Sequence, residues 1–185
     1  AMLQLECETD FVSRSDEFAK MADSIVAKVL DGSVAVEDRD FSEIKDYMLK
    51  VGENIKIGGM ALVEGSTIGV YVHSNKKIGV VVSLDGGTEE LAKDIAMHAA
   101  ATNPRVISPD EVAQELVDRE KGIWAEQLKT EGKPVEIIEK IMMGKEKKFR
   151  EENALLKQTF VKNPEKTIEQ ILGEAKIKQF VRFGI

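Results

Sequence analysis

A chain of 185 residues, 43% hydrophobic and 32% charged, has the composition of a globular protein with one or two cores, not of a disordered chain. Its net charge of -7 argues against a general nucleic-acid binder, which would cluster Lys and Arg to neutralise phosphates, so a protein partner is expected and direct nucleic-acid binding is not. Apolar runs such as "IGVVVSL" at 78–84 are far below the ~18 residues of a membrane span, no leader-like segment opens the chain, and the single cysteine, Cys7, has no internal disulfide partner; no membrane contact and a reducing compartment are expected.

In chain order, "MLQLECE" at 2–8 alternates Leu3, Leu5 and Cys7 against Gln4, Glu6 and Glu8, the pattern of a strand with one apolar face. Ser13 or Ser15 then caps a helix whose stripe is Phe18, Met21, Ala22, Ile25, Val26 and Val29 and which ends near Gly32. Between the two lies "TDF" at 9–11, with a phenylalanine where chain usually turns polar. Two readings of Phe11 stand level: a local contact that fixes the entry into the helix, or an exposed anchor for a partner's pocket. Asp40 and Glu43 predict a capping box for a second helix, which carries Phe41, Ile44, Tyr47, Met48 and Val51 and stops at Gly52. "NIKIGGMALVEG" at 54–65 and "TIGVYVHS" at 67–74 are rich in strand formers, and the turn "SNKK" makes 67–84 a β-hairpin.

"DGGT" at 85–88 breaks that strand, and Thr88 caps a helix from Glu89 to about Ala101, ended by "TNP". His98, three residues after Ile95, lies on its apolar stripe, where a buried ring with satisfied nitrogens is expected. A repeat emerges here. "EFAKMADSIVAK" at 17–28 matches "ELAKDIAMHAAA" at 90–101, and "GENIKI" at 52–57 matches "GEAKIK" at 173–178, in the same order. These echoes predict an α+β fold of two duplicated strand-helix-helix-strand subdomains with small antiparallel sheets, an N-terminal core over 1–84 and a C-terminal core over 85–185.

A helical hairpin, packed as a coiled coil, is expected as an insertion at about 109–150. "SPDE" at 108–111 offers a cap, a proline at the first helical position and an acid at the third. Val112, Leu116, Arg119, Ile123 and Gln127 recur near heptad spacing with Trp124 and Leu128 beside them, Gly132 stops the helix, and Pro134 restarts one carrying Ile137, Ile138, Ile141, Met142 and Phe149. Its balanced surface charges suit an arm that touches a partner.

Chemistry is sparse. His73, His98 and Cys7 have no metal-ligand spacing, Gly58-Gly59 and Gly86-Gly87 lack a phosphate-loop lysine, and the glutamates 89 and 90 would repel an anion at "DGGT". No enzyme, metal or cofactor is expected.

"CETDFVSRSDEF" at 7–18, "GENIKI", "KIGVVV" at 77–82, "IAMHAAATNP" at 95–104 and "KTIEQIL" at 166–172 together resemble bacterial and organellar translation elongation factor Ts, over Leu3 to Phe183. The resemblance implies a nucleotide exchange factor that binds elongation factor Tu, expels GDP and lets GTP enter, in the bacterial cytoplasm or an organelle's matrix or stroma. It also implies a two-copy core with a helical hairpin in the second copy. By matching motif, Asp10 and Phe11 are the pair that inserts between helices of the partner's nucleotide domain near its magnesium site. Ile78, Gly79 and His98 match further contact positions, and Val161 in "TFVKNP" matches one that touches a more distal domain of Tu. Family members usually begin with a small helical module, whereas this chain starts inside the first strand. A fragment with weakened exchange is therefore expected, with Met2 to Glu6 frayed or paired with a second copy through its open edge. The alternative function is a scaffold that holds Tu without catalysing exchange, as in a phage RNA replicase.

Overall fold

The computed structural model of the chain describes residues 1–130 and 134–185. Its first part runs β1 (Met2–Glu6), α1 (Asp10–Ser13), α2 (Asp16–Leu30), α3 (Ser42–Val51) and β2 (Lys56–Ala61). The second part runs β3 (Thr67–Val72), β4 (Ile78–Asp85), α4 (Glu89–Thr102), α5 (Gln114–Thr130), α6 (Val135–Asn153), β5 (Thr159–Phe160), β6 (Asn163–Thr167), α7 (Ile168–Leu172) and β7 (Lys176–Gly184).

Ser15 caps α2 by accepting from the Phe18 amide, and its hydroxyl also meets the Tyr47 hydroxyl at 2.8 Å, joining the start of α2 to α3. Phe18, Met21, Ile25 and Val29 then recur at three- and four-residue steps and are buried against Phe41, Ile44, Tyr47, Ile55 and Met60. Beneath them β1 pairs antiparallel with β2, Leu3 opposite Met60 and Leu5 opposite Ile57. Met2 to Glu6 is thus paired along its length, not frayed. The capping box expected at Asp40 does not form. Phe41 takes the cap position with its ring in the core, while Asp40 pairs with Lys45 and Glu43 with Lys28. Burying the ring, worth ~1.5–3 kcal/mol, outweighs the ~1 kcal/mol of a side-chain cap.

The same plan recurs downstream. β4 and β7 pair antiparallel, with α4 and α7 between them in the chain, as β1 and β2 pair around α2 and α3. The architecture is α+β with small antiparallel sheets, and the repeated sequence segments fall on equivalent elements. The second sheet has one strand more, in the order β3-β4-β7, because the hairpin of 67–84 forms as expected. Val80, Val82 and Leu84 alternate inward from β4 onto Ala92, Ile95, Ala96 and Ala99 of α4, with Leu155, Phe160, Ile168 and Leu172 closing this second cluster. The apolar clusters change over between Met60 and Tyr71, so the expected division at residue 84 falls between β4 and elements that share its sheet and core. β4 is the central strand, and its pairing with β7 commits the whole hairpin to the second cluster.

α5 and α6 form the inserted antiparallel hairpin, since Gln114 meets Arg150, Lys121 meets Glu146 and Trp124 meets Phe149. "SPDE" makes only a 3-10 turn at Pro109–Glu111, where the Glu111 carboxylate accepts from the Ile107 amide and the Ser108 hydroxyl. The inward face of α5 steps from Val117 through Trp124 to Leu128, and the expected heptad members Arg119, Ile123 and Gln127 are exposed. The expected stop at Gly132 lies outside the described residues. At the base, Val106 bridges to Ala154, and the Leu155 and Leu156 amides donate to the Val106 and Ile107 carbonyls at 2.9 and 3.0 Å. Both ends of the insertion therefore meet on the second core.

Candidate functional site

The corner between β1 and α2 starts from Thr9, which caps α1, and from Val12, the buried residue of that single turn. Val12 makes the local hydrophobic contact. Phe11, its neighbour, is 86% exposed, so the ring is not the staple of the two readings left open by the sequence. Asp10 is held one turn back by Arg14 at 3.0 Å, with both side chains largely in solvent.

What fixes this corner is the end of α3. Gly52 closes that helix in the left-handed region, at φ 73°, where a side chain would be strained, and so turns Glu53 and Asn54 toward β1. The Glu53 carboxylate accepts from the Thr9 amide at 3.0 Å and from the Thr9 hydroxyl at 2.5 Å. Asn54 donates from its amide and its side chain to Glu8 Oε1, at 3.3 and 2.5 Å. Cys7 donates to the Thr9 carbonyl at 3.2 Å, and burial, then the charge of Glu53, pushes its thiol pKa up, which keeps it protonated. The face of α3 beside Glu53 and Asn54 also carries Met48 and a largely exposed Leu49, which line a shallow depression with Lys45.

Ile78 and Gly79 open β4 after a turn in which Lys76 adopts φ 57°. Both are half-buried, and their backbones are occupied, Gly79 lying opposite Val72 on one side and Phe183 on the other. A Cβ at Gly79 would lie 3.3 Å from Met2 Sδ, so the glycine admits the start of the first unit.

His98 is completely buried on α4. Its Nε2 meets Gln158 Oε1 at 3.0 Å, and its Nδ1 accepts the Val161 amide at 3.3 Å, an arrangement that assigns the proton to Nε2. Burial lowers its pKa, opposed by the bond to Gln158. The buried, satisfied histidine is what the fold contains. A ring with no exposed surface touches no partner in this conformation, and its link to the surface is Val161, 43% exposed between β5 and β6. The six predicted residues thus form three local groups: Asp10 with Phe11, Ile78 with Gly79, and His98 bonded to Val161.

Sequence reasoning missed Glu53, Asn54 and Gln158. The first two had a signal, polar residues directly after a helix-ending glycine within "GENIKI"; Gln158 had none. Among the described residues, no group of three His, Cys, Asp or Glu side chains is placed to hold a metal ion, and no helix is long and apolar enough to cross a membrane.

A sequence model of the family described as "Elongation factor TS" matches residues 8–185. Elongation factor Ts of Francisella tularensis subsp. novicida (strain U112) is 41% identical over 197 residues, which cover 100% of this chain and 68% of that protein. The protein of the same name from Hydrogenovibrio crunogenus is 42% identical over 199 residues, covering 100% of this chain and 67% of the relative. That of Marinobacter nauticus is 43% identical over 185 residues, covering 94% and 62%. With the duplicated fold and the "TDF" corner in place, these matches show that the chain belongs to the elongation factor Ts family.

Proposed function

We propose that the chain binds elongation factor Tu and promotes release of its GDP during translation, in the bacterial cytoplasm or an organelle's equivalent, with Phe11 as the inserted side chain. The observation that carries this reading is a phenylalanine 86% exposed on a turn that hydrogen bonds hold against α3. An apolar ring kept in water on a fixed support costs solvation without helping the fold, and it suits a surface that a partner covers. Exchange requires that the factor bind nucleotide-free Tu more tightly than GDP-bound Tu, and by reciprocity GDP must weaken the factor's binding equally. A side chain that inserts only when the partner's helices have parted contributes to one state alone and supplies that difference. Asp10 accompanies it, and Ile78, Gly79 and Val161 extend the contact, with His98 acting through the Val161 amide.

The test is release of a fluorescent GDP from Tu in the presence of this chain. Acceleration supports the proposal. Binding without acceleration leaves a scaffold, and neither binding nor acceleration overturns the reading.

A further inference from the structure

We infer that Glu53 is the positioning residue for Phe11, holding the ring where a partner can take it, an inference that rests on the function proposed above. Because the Phe11 side chain is exposed, its place is set by the backbone of residues 8 to 13, which Val12 anchors in the first core on one side only. That backbone has little strength of its own. α1 has four residues, far below the ~12–15 at which an isolated helix becomes even marginal, and the Thr9 cap reaches the Val12 amide only at 3.5 Å. Glu53 supplies what is lacking. Its two carboxylate oxygens take the Thr9 amide and hydroxyl separately, at 3.0 and 2.5 Å, across 44 residues of sequence. Glu53 itself sits between two fixed points, the left-handed Gly52 and the buried Ile55, so the clamp transmits the position of α3 to the corner. Asn54 braces the preceding residue through Glu8.

A carboxylate of this length suits the clamp. Both Thr9 groups donate to it, so it uses two acceptors; glutamine keeps one acceptor for the amide and can hold the hydroxyl only by reversing that bond, with its NH2 donating to Thr9 Oγ1, while aspartate is one methylene short. With the clamp released, the productive position of the ring is a fraction of a wider ensemble, and apparent affinity falls by that fraction.

The experiment measures stimulated release of fluorescent GDP from Tu against concentration of factor, for the unaltered chain, Glu53→Ala, Glu53→Gln, Thr9→Val and Phe11→Ala. Glu53→Ala should lower kcat/KM by ~3- to 10-fold at an unchanged melting temperature, with Glu53→Gln and Thr9→Val intermediate. In the Phe11→Ala background the same substitution should cost nothing further, because its effect passes through the ring. A spin label at position 11, introduced by Phe11→Cys in a Cys7→Ser chain, should become more mobile on Glu53→Ala without any partner present. The inference is overturned if Glu53→Ala leaves exchange unaltered while Phe11→Ala slows it, if the loss is equal in both backgrounds, if it follows a drop in melting temperature, or if the label does not loosen. Failure of the unaltered chain to accelerate release refutes the proposed function instead, and the label then decides whether Glu53 positions residue 11.

Discussion

Burying a phenylalanine is worth ~1.5–3 kcal/mol, and the fold leaves that gain unused at Phe11 while its neighbour Val12 is buried. A complex that buried the ring, as proposed for nucleotide-free Tu, would recover that energy, which at about 1.4 kcal/mol per decade amounts to ~10- to 100-fold in affinity. Phe11→Ala should therefore slow stimulated GDP release from Tu by about that factor and leave the isolated melting temperature nearly unchanged. A markedly lower melting temperature with exchange intact would make the ring structural and end its proposed role as the inserted side chain. His98 is the opposite kind of residue, with its whole ring inside. Its folded pKa lies below the ordinary 6.5, with burial the cause, so the unfolded chain takes up a proton at a pH where the folded chain does not. Stability is then full above the unfolded value and is lost as pH falls through it toward the folded one. The melting temperature should drop between about pH 7.5 and about pH 5.5, and His98→Gln should flatten that slope as well as lower stability throughout. Equal slopes in the two proteins would show that other groups set the acid sensitivity. Stripe position made the burial of His98 legible in the sequence. The exposure of Phe11 was not, because the two apolar residues are adjacent and which of them turns inward is settled by packing against α2 and α3, where Val12 joins the first core.

Elements whose signal is local were readable, and elements whose phase depends on packing were not. The helical hairpin announced itself through two apolar-periodic runs, but a stripe counted from Val112 mispredicted the face of α5. Val112 precedes the helix, which starts at Gln114, so the break resets the phase and Val117, Trp124 and Leu128 turn inward. Trp124 then packs edge-on to Phe149 with centroids 5.8 Å apart, and the Lys145 ammonium stands 5.8 Å from the Trp124 ring centre. Arg150 ties the pair to its base, donating to the Val112 carbonyl at 3.1 Å and to Gln114 Oε1 at 2.7 Å. All of these partners belong to the insertion, whereas the Val106–Ala154 bridge and the buried Leu155 lie outside it. Replacing Asp110 to Arg150 by a short linker should thus leave a chain that melts cooperatively, with no buried group of the second core stripped of its partner, while affinity for Tu changes. Circular dichroism on heating and a binding titration check the two halves of this expectation. Loss of cooperative melting would mean that the insertion, not the base, completes the second core.

At the scale of the whole molecule, short echoes such as "GENIKI" and "GEAKIK" disclosed the duplication because they mark β2 and β7, the strands that close each unit against β1 and β4. The changeover between cores was missed for a complementary reason. The turn at 74–77 is a local signal, but the pairing of β4 with β7 joins residues about a hundred positions apart and leaves no local trace. Two glycines record how closely the parts approach. A Cβ at Gly59 would come within 2.8 Å of the Phe183 ring, where the first unit meets the second sheet, and a Cβ at Gly69 within 2.1 Å of the Ala92 carbonyl carbon, where α4 lies on β3. These clashes differ in kind. A phenylalanine ring can turn or slide by a few tenths of an ångström, whereas the backbone of α4 carries Ala92, Ile95, Ala96 and Ala99 in the second core and cannot move without displacing them. Strand propensity alone would make alanine the better residue at both sites by ~0.5–1 kcal/mol. Overpacking against backbone should reverse that at Gly69, so Gly69→Ala should destabilise by ~1–3 kcal/mol or more, and Gly59→Ala by clearly less. Urea unfolding of the two variants beside the unaltered chain gives the comparison directly, read as a shift in midpoint at constant slope. If Gly59→Ala proves the more damaging, the contact between the two units is the stiffer one, and α4 is free to ride away from β3.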